Sequence, residues 1–88
     1  MKIKSGYVLR EVVDVFVIIG TGSEAYRPNE IMSLNGAGAF LWNILREGAD
    51  VQELVTKLMQ EYDVDGKTAA KDVDAFLAQL REKDLITE

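Results

Sequence analysis

"SLNGAGAFLWNIL", residues 33–45, decides how this chain is read. Gly36 and Gly38 stand one residue apart, directly ahead of an apolar run at helical spacing. Such a stretch is either a loop whose backbone cradles a phosphate or the entry of a chain into a helix. A dinucleotide fingerprint reads Gly-x-Gly-x-x-Gly after a strand, and its third glycine lets helix and strand approach closely. Here the third position is Leu41, and no lysine-Ser/Thr pair follows to make a P-loop. Gly20 and Gly22 fail in the same way, with Ala25 at the third position. The stretch therefore reads as a helix start. Asn35 is the N-cap, and the small residues at 36–39 let the first turn sit close against the preceding strand. Ala39, Phe40, Trp42, Ile44 and Leu45 furnish an apolar stripe that ends near Gly48.

Toward the C-terminus, Asp50 with Glu53 three residues on has the form of a capping box. The helix it opens has an expected buried face of Val51, Leu54, Val55, Leu58, Met59 and Tyr62. After "YDVD" (62–65), Asp65 opens a third helix with Ala69, Val73, Phe76, Leu77 and Leu80 on one stripe. It is expected to end near Asp84, with Leu85 to Thr87 as a short extended tail.

Toward the N-terminus, Ile31 to Leu34 supplies a short strand, with Ile31 and Ser33 facing one way and Met32 and Leu34 the other. Pro28-Asn29 is a break, and Gly20 to Glu24 a turn. "VFVII" (15–19) and "YVLREVV" (7–13) are β-branched runs on either side of Asp14, which reads as a hairpin. A hairpin is barely stable alone, and a small helix cluster buries too little, so sheet and helices must share one core. The expectation is a single α+β domain over residues 1–88: a three-stranded antiparallel N-terminal sheet followed by three helices, winged helix-turn-helix-like.

Composition removes most chemistry. The chain has 88 residues, no cysteine and no histidine, which excludes thiol nucleophiles, cysteine-held metals and the Ser-His-Asp triad. Carboxylate pairs such as Asp72 and Asp74 read as solvated helix surface. Tyr7, Tyr26 and Tyr62 read as edges of the core, and Trp42 as a core anchor. No catalytic residue, cofactor or metal is expected. No run approaches the length of a membrane span and nothing resembles a signal peptide, so the expected location is the cytoplasm.

A winged helix invites a DNA-binding reading. Over residues 66–84, Lys67, Lys71, Arg81 and Lys83 are balanced by Asp72, Asp74, Glu82 and Asp84. A neutral recognition helix on a chain of net charge −5 is a poor groove reader, so no nucleic acid is expected, although a regulator remains an alternative.

"MSLNGAGAFLWNIL", "ELVTKLMQEYDVD" and "DVDAFLAQLREKDLI" together resemble the PqqD family. The shared features are a strand ending in Leu34-Asn35, a helix carrying Trp42, the "YDVD" step and the last helix with its terminal leucine. The resemblance runs well from Ile31 to Ile86 and loosely over the first strands. Asp84 departs from the family's common glycine, and Gly36-Ala37-Gly38 from its common helix-favouring or threonine-containing stretch.

The resemblance implies a non-catalytic recognition element for ribosomally made precursor peptides. It would bind a leader segment by β-strand addition and hand it to a modifying enzyme, often a radical S-adenosylmethionine maturase, as in PQQ biosynthesis. A docking subunit that binds no peptide is the other alternative. If strand addition holds, Ile31, Met32, Ser33 and Leu34 supply the edge. Of the two shoulders of the third helix, Asp72, Phe76, Gln79 and Lys83 are chosen over Ala70, Asp74 and Arg81, because Phe76 can serve both core and groove. An exposed edge can equally pair with a second copy of the chain, giving a homodimer.

Overall fold

The first two β-branched runs pair as a tight hairpin. In the computed structural model, which describes residues 1–20 and 30–87 without the side chains of Glu30 and Ile31, strand β1 is Lys2–Ile3, β2 is Tyr7–Val12 and β3 is Val15–Gly20. Then come β4 (Glu30–Leu34), helices α1 (Gly36–Glu47), α2 (Val51–Tyr62) and α3 (Gly66–Glu82), and β5 (Ile86–Thr87). The expected turn after Gly20 and the break at Pro28-Asn29 lie outside the described residues.

The β2–β3 register runs from Tyr7 opposite Gly20 to Val12 opposite Val15, leaving Val13 and Asp14 as a two-residue turn. Such turns require a positive φ at a central residue. Val13 has φ +56°, a region that a β-branched side chain enters only under strain. It is also 87% exposed, so packing returns nothing. Val13→Asn is expected to stabilise the fold by about 1 kcal/mol, read as a higher urea midpoint at unchanged slope.

β3 is the middle strand, in the order β2-β3-β4, all antiparallel. Phe16, Val17 and Ile18 face Leu34, Ser33 and Met32, and then the register shifts so that Ile19 faces Glu30. Ile31 is the extra residue of a bulge. Directly opposed residues share a face of the sheet. Ile18 and Leu34 are buried on the helix-facing side, with Tyr7, Leu9, Phe16 and Met32 packed against the same cluster. Val17, on the other face, is buried too, although Val15 on that face is exposed. Leu41, Trp42 and Leu45 of α1 join Leu54 and Leu58 of α2, Val73, Leu77 and Leu80 of α3, and Leu85 in the one shared core.

The expected face of α2 is too wide. Leu54, Val55 and Leu58 are buried, but Val51, Met59 and Tyr62 are exposed. α2 packs mainly on α3 and α1, and two helices seal a narrower stripe than a helix lying on a sheet would. Tyr62 still closes one flank, its ring meeting Phe40 edge-on with centroids 5.7 Å apart and planes at 81°.

"YDVD" is a helix-to-helix corner. Asp63 adopts φ +51° while its N–H donates to the Met59 carbonyl at 3.0 Å. Val64 packs against the core, and the Asp65 carboxylate accepts from the Thr68 N–H at 2.7 Å as N-cap of α3. That backbone hydrogen bond, and then one from the Thr68 side chain, hold the Asp65 carboxyl below its ordinary value of 3.8. A depressed carboxyl stabilises the fold fully above its unfolded pKa and loses that contribution as pH falls through the folded value. Asp65→Asn keeps a capping oxygen but does not titrate. It is expected to flatten the loss of stability below pH 3.8 while leaving neutral-pH stability nearly unchanged, as read by thermal melts across that range.

α3 closes with a Schellman turn: Leu85 N–H donates to Leu80 O at 2.9 Å and Asp84 N–H to Arg81 O at 3.0 Å, with Asp84 at φ +59°. An aspartate thus takes the left-handed position where glycine is commonest, and it pairs with Lys4 at 2.7 Å. The last residues are not a free tail. Ile86 and Thr87 pair with Ile3 and Lys2, a two-residue ribbon too short for periodicity to reveal. No helix among the described residues is long and apolar enough to cross a membrane.

Candidate functional site

The glycines that opened the sequence reading turn out to differ. The Asn35 side chain accepts from the Gly38 N–H at 2.8 Å, which draws the first turn of α1 onto the end of β4. A Cβ on Gly38 would lie 3.2 Å from Leu34 Cβ and Cδ2 and 3.3 Å from Asn35 Oδ1. Gly38 is therefore the close-approach residue between helix and strand. A Cβ on Gly36 would meet only the Tyr62 hydroxyl, at 3.8 Å, so packing makes no such demand there.

A cleft of about 320 Å³ opens between the end of β4 and α3. Ser33, Leu34 and Asn35 form one wall, Asp72, Ala75, Phe76 and Gln79 the other, and Ala37, Gly38 and Leu41 the base. Leu34, Leu41 and Phe76 are buried and make an apolar floor, whereas Ser33, Asp72, Ala75 and Gln79 are exposed along the rim. Among the described residues β4 pairs only with β3, so its outer edge is open. A depression on α2 lined by Asp50, Gln52, Glu53, Thr56, Lys57 and Gln60 has no buried apolar residue in its lining.

Of the residues expected from the sequence, Ser33, Leu34, Asp72, Phe76 and Gln79 come together in the cleft. Met32 does not line it. Its side chain is half-buried against the core, which leaves β4 its backbone. Ile31 has its backbone in β4 at the bulge. Lys83, the C-cap of α3, is exposed and lies outside the lining. The rejected shoulder, Ala70, Asp74 and Arg81, contributes nothing to the lining.

Sequence reasoning missed Asn35, Ala37, Gly38, Leu41 and Ala75. Ala75 was legible, since positions 72, 75, 76 and 79 form one helical stripe. The residues of α1 were not, because only tertiary packing brings that helix beneath the cleft. Among the described residues the arrangement offers backbone donors and acceptors without a strand partner beside an apolar slot, which suits an extended chain with one side chain seated.

The family described as coenzyme PQQ synthesis protein D (PqqD) matches this chain over residues 16–86. No curated protein matches it in sequence. The solved structure of TbiB1 in complex with the TbiA(beta) leader peptide is similar, with a TM-score of 0.74 and 29% identity over 97% of this chain and 93% of that one.

Proposed function

This chain belongs to the PqqD family, and from that premise we propose that it binds the leader segment of a ribosomally made precursor peptide as an added strand on β4. The observation that carries the proposal is the open edge of β4 beside an apolar-floored cleft. Main-chain hydrogen bonds to such an edge give affinity without demanding a sequence, and the cleft supplies discrimination. The similarity to a protein solved with its leader peptide supports the same reading.

The chain itself catalyses nothing in this reading. It holds the leader so that the remainder of the precursor reaches a modifying enzyme, of the radical S-adenosylmethionine class by family resemblance. The three-stranded sheet has two open edges among the described residues, those of β2 and β4. With the leader on β4, the edge of β2 remains for the enzyme or for a second copy of the chain.

The test uses the fluorescein-labelled leader encoded beside this chain's own gene, carrying one N-methyl amide at a time. Strand addition turns alternate residues toward the edge, so loss of binding by polarisation should recur every second position. Binding that ignores N-methylation along the whole peptide would overturn strand addition. Absence of binding to the unmodified leader, with and without the enzyme, would overturn leader recognition.

A further inference from the structure

The rim of the cleft carries one kind of charge. Among the described residues that line it, Asp72 is the only ionisable one. Its neighbours one helical turn away are Thr68, Ala69, Ala75 and Phe76, so α3 provides no cation at the spacing where helical ion pairs form. The ion pair found among the described residues, Lys4 with Asp84, is at the other end of α3. Asn35 on the opposite wall accepts from the Gly38 N–H through its side-chain oxygen, and neither its amide nor that of Gln79 carries a charge to offset the carboxylate. The carboxylate thus lies on the rim of a slot floored by Phe76, in the wall across from β4.

We infer that this cleft selects peptides in which a lysine or arginine accompanies the apolar side chain seated on Phe76, with Asp72 as the selecting residue. The inference rests on the proposed strand addition and adds the chemistry of the segment that is chosen. A cation reaching Asp72 gains an ion pair at the rim of an apolar-floored slot, whereas an acidic residue there meets a like charge on a chain of net charge −5. The interaction is partly solvated, so it works on selectivity and weakens with salt, while the ladder and the apolar anchor carry the bulk of the affinity.

The probe is a displayed library of random twelve-residue peptides selected against the full chain, followed by synthesis of the enriched sequences. Enrichment of Lys or Arg at a fixed offset from an apolar residue is expected. Replacing that base by Glu should weaken binding about tenfold, a change that follows if one rim pair turns from attractive to repulsive. Asp72→Lys should invert the preference, so that the Glu peptide now binds the tighter. Asp72 is exposed, and Asp72→Asn, nearly the same shape, serves as the second variant, expected to erase the preference without reversing it.

If the selected peptides bind and alternate N-methylation weakens them, but Asp72→Lys leaves their ranking unchanged, the cation preference falls and strand addition stands. If the preference follows Asp72 yet N-methylation is without effect, a cation is chosen by a chain that is not a strand, and the inference as stated is overturned together with strand addition.

Discussion

Trp42→Ala is expected to destabilise the chain by about 3–5 kcal/mol, the usual range for emptying a fully buried tryptophan site. Trp42 is 0% exposed and sits in the cluster that joins the sheet to all three helices. Domains of this size hold about 5–15 kcal/mol in all, and 1 kcal/mol moves the melting temperature by about 4–8 °C. The variant should therefore melt at least about 12 °C lower. Trp42→Phe should behave differently. The indole Nε1–H is buried without a hydrogen-bond partner, so its removal gives back part of the cost of the lost ring volume. A loss of under about 1.5 kcal/mol is expected for the phenylalanine. Calorimetric melts of the two variants check both values. Equal losses would mean that the indole N–H is satisfied in solution.

The second large effect concerns binding. Ala75 is exposed on α3 and lines the cleft without taking part in the core. Ala75→Trp places a large ring over the slot while the folded core keeps every residue it has. Seating one apolar side chain is worth about 1.5–3 kcal/mol, or roughly a 10- to 100-fold change in affinity. A loss of that size for the leader peptide, at unchanged melting temperature and circular dichroism, is the expected result by polarisation titration. Ala75→Ser, which leaves the slot open, should bind like the parent.

Much of this fold is legible in the sequence because its signals are local. Asn35, Asp50 and Asp65 each cap a helix where a short polar side chain meets the start of an apolar period. The stripe of α3 is buried as the spacing predicts, since a long helix against a core shows its period clearly. The failures are of a different kind. Val51, Met59 and Tyr62 have the right spacing but lie beyond the width of the helix pair that seals α2. The β1–β5 ribbon joins residues 2–3 to 86–87, a pairing that no local pattern announces.

The candidate site divides along the same line. Asp72, Phe76 and Gln79 follow from one helix face, and Ser33 and Leu34 from one strand. The base of the cleft does not, because it depends on how closely α1 approaches β4. That distance is set at Gly38, whose role differs from that of Gly36 only once Leu34 is beside it. The same local reading puts Lys83 on that face, but Lys83, the C-cap of α3, lies outside the lining of the cleft.

The central claim is that a leader peptide completes the sheet at β4. Amide hydrogen exchange of the full chain with and without the leader encoded beside its gene tests it most directly, resolved to single residues by NMR. Slowed exchange is expected at the outward-facing amides of residues 31–34, with smaller changes on α3 around Asp72 to Gln79, and little change along β2 from Tyr7 to Val12. Protection gained along β2 or at the Val13 turn, with β4 exchanging as before, would contradict it.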